Sequence, residues 1–320
     1  KNDLKKLCNF FSICSILPFI IGIIQFSLCQ AFGSSMEVMT HFYSDFDIAK
    51  SATQTFTKFS YGNINLYRVP STTFSFVGQY NNFIIISFIP IITSIILGET
   101  TKEKNFYKFV LFLAILAALT SGTRGNFFYL GIFFVFFFIS YKKMVLKDSI
   151  LVLIVLAIFF YIFYVYFPII KDITDLGSNY IFSYFFKDIF SIINNNIFGN
   201  GLGSGTNAAR YVISEDVKLL HEGYYIKSIF ELGLLGLISV LILFSSINST
   251  ILKSKENSKH LEESIFCILV HSFFILIIFF NLKGTSLFDN YPSNLLFLFF
   301  LGITFKLGTQ EYSKKKFSSK

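Results

Sequence analysis

Charged residues leave long gaps along this chain. Spans free of Asp, Glu, Lys and Arg run over residues 7–36, 69–98, 109–123, 125–141, 149–170, 232–252, 264–282 and 290–305. A helix crosses the ~30 Å hydrocarbon layer of a bilayer with about 20 residues, so the gaps predict eight transmembrane helices. The first two spans include polar loop residues, which narrows their helices to 9–31 and 79–97. The third and fourth are short, and Lys108 must snorkel to an interface. One helix over 106–141 would be ~54 Å long, far more than a bilayer needs. The segment TSGTRGN, with Gly122 and Gly125 flanking Arg124, therefore predicts the turn of a helical hairpin.

Composition agrees with this pattern. Of 320 residues, 53% are hydrophobic, 19% aromatic and 14% charged, and the mean hydropathy is +0.63. No soluble domain needs that much apolar surface. The expected fold class is all-α, a polytopic transmembrane bundle forming one integral membrane domain over 1–320. Its two long loops are 33–78 and 169–226. Absence of an initiator Met leaves room for helices before residue 1, and no cleavable signal pattern is read at the start.

Charge sets the expected orientation. If the N-terminus is cytoplasmic, the inside segments carry Lys1, Lys5 and Lys6, then Lys102, Lys104 and Lys108. The same side collects Lys142, Lys143 and Lys147, then Lys253, Lys255 and Lys259, and finally Lys306, Lys314, Lys315, Lys316 and Lys320. These are most of the 27 basic residues. Positive-inside bias thus predicts cytoplasmic termini and external long loops. Topology and anionic lipid account for the net charge of +8, so no nucleic-acid partner is expected. Cys8, Cys14, Cys29 and Cys267 all lie in spans without a CxxC pair. Buried inert thiols are expected, with no disulfide framework and no metal.

Candidate chemistry comes from polar residues that apolar packing does not require. Arg124 offers a planar fork of five donors suited to a phosphate or diphosphate, or it pairs with lipid headgroups at a helix end. In NNNIFGNGLGSGTNAAR, Gly199, Gly201, Gly203 and Gly205 alternate ahead of Arg210. They form either a nest of backbone N–H groups for an anion or a flexible turn. No Gly-Lys-Ser/Thr closes the run, so it is not a nucleotide P-loop. In LLHEGYYIKSIFELGLLGL, Lys227 and Glu231 are four apart and can pair on one helical face. His221 and Glu222 just precede them. They are either proton acceptors or the solvated start of a helix. Arg68 stands in the first long loop. His271 lies in the seventh helix, where a neutral imidazole bonded to a neighbouring carbonyl is the simpler reading. His41 and His260 have no motif around them.

Together these segments resemble the polytopic glycan polymerase and O-antigen ligase family. The counterparts are TSGTRG with Arg124, IFGNGLGSG over 197–205 and HEGYYIKSIFELGLLGL over 221–237, a match in order across about 65–305. Each motif is weak alone, and their order makes the combination specific. The resemblance implies a GT-C-like integral-membrane glycosyltransferase without cofactor. It also implies a polyprenyl-diphosphate-linked oligosaccharide as donor, an acceptor glycan, and a chain-length-determining copolymerase as a possible partner. Arg124, then Arg210 and Arg68, would hold the diphosphate, and His221 or Glu222 would serve the attacking hydroxyl. Ligases of the family carry His-Asn eleven residues before the first glycine of GLLGL. Here His221 is twelve before Gly233 and Glu222 takes the usual place. That departure favours a polymerase for lipopolysaccharide over a ligase that loads lipid A core. A flippase is the rival from another class, but no internal repeat supports it.

Overall fold

The structure, a computed structural model, describes residues 2–32, 59–61, 64–66, 69, 71, 74, 77–121, 124–141, 192, 197–202, 204, 224–258, 260–280 and 293–318. The protein is an all-α polytopic membrane protein. Its described helices are α1 (Asn2–Cys14), α2 (Ile16–Phe32), α3 (Val77–Leu97), α4 (Thr101–Thr120), α5 (Arg124–Tyr141), α6 (Tyr224–Asn257), α7 (Leu261–Phe280) and α8 (Ser293–Ser318). Span 149–170 lies outside the described residues; 7–36 is shared between α1 and α2, and each other expected span, in its described part, carries one helix.

The helices overrun the charge-free gaps. α6 starts before residue 232 and carries Lys227 and Glu231, and α8 continues past residue 305 into a lysine-rich end. A gap marks the apolar zone, whereas a helix continues until its backbone finds other partners. By length and apolarity, Asn2–Ala31, Gly78–Leu97, Tyr224–Asn257 and Leu261–Ile278 can each cross a bilayer, while Leu130–Ser140 and Ser293–Thr309 are shorter apolar stretches. α4 is kept out of that group by Lys102, Glu103, Lys104 and Lys108 near its start.

One local element was not expected. In the first long loop, β1 (Phe59–Tyr61) and β2 (Ile64–Leu66) pair antiparallel with Tyr61 opposite Ile64. The intervening Gly62-Asn63 is a dipeptide suited to two-residue hairpin turns.

The chain divides into two compact units, Lys1–Lys143 with Lys253–Phe273 and Asn290–Lys320, and Met144–Leu252 with Phe274–Asp289. In the first, α3 packs against α1, α4, α5 and α8. α1 and α2 are nearly one helix, interrupted at Ser15 because Pro18 brings no N–H to the Cys14 carbonyl. Lipid is as apolar as a side chain, so tight packing rather than water exclusion holds such a bundle. Phenylalanine supplies much of that packing. Phe88 meets Phe133 and Phe134 at ring centroid distances of 6.3 and 5.6 Å, and Phe300 meets Phe11 and Phe266 at 5.5 and 6.0 Å. Edge contacts of this type contribute about 0.5–1.5 kcal/mol each. Cys8, Cys29 and Cys267 are buried free thiols as expected, but Cys14, the last residue of α1, is exposed. His271 is half-buried in the middle of α7 and engaged by its surroundings.

Polar contacts tie the helix ends of this unit together. Lys5 at the start of α1 lies 3.1 Å from both Glu99 and Glu103, and Asn9 donates to Glu103 at 3.2 Å. The Glu99 N–H donates to the same carboxylate at 3.0 Å, and Thr100 caps α4 by accepting from the Glu103 N–H. Elsewhere in the unit, Lys255 donates to Ser140 O and Asn257 to Gly308 O. Ends expected to share one side of the membrane are thus joined in pairs.

The Glu99 N–H, then Lys5 and Asn9, holds the Glu103 carboxyl below its ordinary range despite some desolvation. A depressed folded value stabilises the fold above the unfolded value of about 4.3, and that contribution is lost as pH falls through the folded value. Glu103→Gln is expected to lower stability at neutral pH by about 1 kcal/mol, the ceiling for a partly exposed pair. The gap to the wild type should close on acidification. Melting of both proteins across the acid range measures this, and equal melting at neutral pH would show that the cluster contributes nothing.

Candidate functional site

α6 is not continuous. Gly233 has φ 67° and ψ −157°, a combination open essentially to glycine alone. The helix therefore stops and restarts, and the carbonyls before the break lose their regular donors. In an apolar setting such orphaned groups must be satisfied by other protein atoms.

The glycine segment satisfies them. Asn200 N–H donates to Phe230 O at 2.8 Å and Gly201 N–H to Glu231 O at 2.9 Å. In return Leu234 N–H, the first donor of the restarted helix, reaches Ile197 O at 3.0 Å. The Asn200 side chain adds a second bond to Phe230 O at 3.2 Å. Ser204 then closes a turn by donating from both its N–H and its hydroxyl to Gly201 O.

Two glycines make this approach sterically possible. A Cβ on Gly199, itself at φ 81°, would lie 2.5 Å from Glu231 O and Gly233 N. A Cβ on Gly233 would lie 2.6 Å from the Phe198 carbonyl carbon and would also overlap Ile197 O. Neither position admits a side chain while the backbones remain in contact. Gly201, at φ 97°, has open space around its would-be Cβ, so only its backbone angle favours glycine.

Two expected motifs, IFGNGLGSG and FELGLLGL, thus meet as one junction within the second unit. The nest reading does not hold at Gly201, because its N–H is consumed by Glu231 O rather than offered to an anion. Gly203 and Gly205 lie outside the described residues, as do Arg68, Arg210, His221 and Glu222. Arg124 opens α5, four positions after α4 ends at Thr120, so the expected break between two helices is present. A cation at a helix start opposes the positive end of the helix dipole, and helix stability therefore does not explain Arg124. Lys227 and Glu231 occupy successive turns of α6 before the break, both half-buried and both engaged. Among the described residues no group of His, Cys, Asp and Glu is placed to hold a metal ion.

The break itself went unread in the sequence. Gly233 and Gly236 in an otherwise strong helical run were its signal, but a glycine in a helix also occurs without a break. What settles the matter is the partner segment more than thirty positions upstream. Chemically, the junction fixes both ends of the chain between Ser204 and Tyr224, the stretch that contains Arg210, His221 and Glu222.

Gly199→Ala and Gly233→Ala are expected to destabilise the purified protein by at least the ~1–3 kcal/mol of a disallowed backbone angle, with added cost from the clash. Gly201→Ala should cost less, and Gly302→Ala, with nothing near its would-be Cβ, should be neutral or gain up to ~1 kcal/mol. Thermal unfolding in detergent measures the series, and four equal results would refute the junction. The sequence matches no family model and no curated protein.

Proposed function

We propose that this protein is a glycan polymerase that uses a polyprenyl-diphosphate-linked oligosaccharide as donor, acting at the external face of a bacterial inner membrane. The observation that carries this reading is the junction. It joins the glycine segment to the Glu231–Gly236 segment, two of the three motifs on which the family resemblance rests. Both motifs thereby acquire a common physical purpose, the placement of the intervening loop.

In the proposed reaction the bond between the anomeric carbon and the diphosphate oxygen breaks. A hydroxyl of the acceptor glycan forms the new carbon–oxygen bond and gives its proton to Glu222 or His221. The diphosphate leaves on its lipid carrier with increased negative charge. Arg124 stabilises that charge, with Arg210 and Arg68 in supporting roles, because prepositioned guanidinium groups act most strongly in a poorly hydrated site. No cofactor enters this scheme.

The flippase reading needs helices broken near the bilayer midplane. The break in α6 lies instead at the edge of its charge-free run, two residues beyond Glu231. That position suits a site at the membrane face better than a transport path.

Surface glycan ladders from a strain lacking this protein test the proposal. A polymerase defect leaves lipid A core bearing a single repeat unit, and a ligase defect leaves core alone. Complementation with Arg124→Ala is expected to lower polymer synthesis by about 10²–10³-fold, equivalent to ~3–4 kcal/mol of barrier, with the protein present in the membrane. Full ladders from Arg124→Ala, His221→Ala and Glu222→Ala alike would overturn the assignment of these residues.

A further inference from the structure

The segment held at the α6 break exposes large apolar side chains. Ile197 is 50% exposed, Phe198 79% and Leu202 80%. Three such residues within six positions, on a segment pinned by backbone bonds, are costly to leave in water. Their depth relative to a bilayer follows from α6. Its charge-free run, residues 232–252, spans ~31 Å at 1.5 Å per residue, which equals the hydrocarbon thickness. Lys227 and Glu231 lie beyond its N-terminal end, and Lys253 and Lys255 beyond the other. Gly233 therefore lies at the boundary between hydrocarbon and headgroups. The Phe198 backbone packs on Gly233, which places the segment at that same level.

The outward face of α6 continues from there. Leu235, Ile238 and Ile242, spaced to share one helical face, are exposed by 66%, 43% and 65%. A transmembrane helix presents such a face to lipid. The loop's apolar side chains begin where that face begins.

We propose that Ile197, Phe198 and Leu202 insert into the bilayer as an interfacial wedge, in the leaflet at the N-terminal end of α6. The occupant of this surface is the upper acyl region of bulk lipid, not a protein partner. Insertion gives the junction a second anchor: backbone bonds hold the segment to α6, and the wedge holds it at a fixed depth. The inference stands whichever reaction the protein carries out.

The chain contains no tryptophan, so Phe198→Trp introduces a single indole reporter. The full chain carrying it is reconstituted in phosphatidylcholine vesicles, with and without lipid brominated near the headgroup end of the acyl chains. The expected result is blue-shifted emission, about twofold or greater quenching by the brominated lipid, and little quenching by aqueous iodide, as for an interfacial apolar side chain. Leu202→Trp should behave alike, which guards against a local effect of one substitution. Emission typical of water with strong iodide quenching would overturn the proposal. Shielding from both quenchers would overturn it equally, because protein would then cover the segment.

Discussion

A helix interrupted in an apolar setting leaves peptide groups that its own turns do not satisfy, and the structure around α6 follows from that constraint. Phe230 and Glu231 offer carbonyls without helical donors, and Leu234 offers an N–H without a helical acceptor. The segment 197–201 supplies the missing partners in both directions. A side chain could not make this exchange so compactly, because three backbone groups must be met at once. Glycine at 199 and 233 is the steric condition for it.

The same accounting explains quieter features of the first unit. Hydroxyl groups within the helices bond back to their own turns, as Ser12 does to Cys8 O, Ser87 to Phe83 O and Thr93 to Ile89 O. A buried hydroxyl therefore needs no partner helix, although Ser12 and Ser94 also approach to 3.2 Å across α1 and α3. Pro90 sits inside α3 without ending it, since a proline removes only one donor, and Pro18 follows the α1–α2 break at Ser15, its carbonyl accepting from the Ser71 hydroxyl at 3.0 Å. The Gly233 break is different in kind. It redirects the backbone itself and so needs an external segment to complete it.

Which features could be read from the sequence follows from the strength of each constraint. Charge avoidance in hydrocarbon is strong and local, so the spans were legible, and the hairpin before Arg124 followed from length alone. Helix ends were not, since Lys227, Glu231 and the lysines of α8 remain helical beyond the apolar zone. The exposure of Cys14 had no signal in an apolar span, and the β1–β2 hairpin rested on two residues within a polar loop. The alternating glycines left a nest and a flexible turn as alternatives, and at Gly201 the N–H is engaged by Glu231 O. The Asn200 and Gly201 N–H groups meet distant carbonyls, and no local pattern specifies which partner, anion or peptide, will accept such donors. Arg68, Arg210, His221 and Glu222 were legible only as chemistry in order along the chain.

The junction also constrains how any chemistry in the intervening loop can work. A loop with free ends loses entropy whenever it orders around a ligand. Between Ser204 and Tyr224 both ends are fixed to one helix before any ligand arrives, and part of that loss is met on folding. Binding energy is then available for discriminating between ground and transition states instead of for closing the loop.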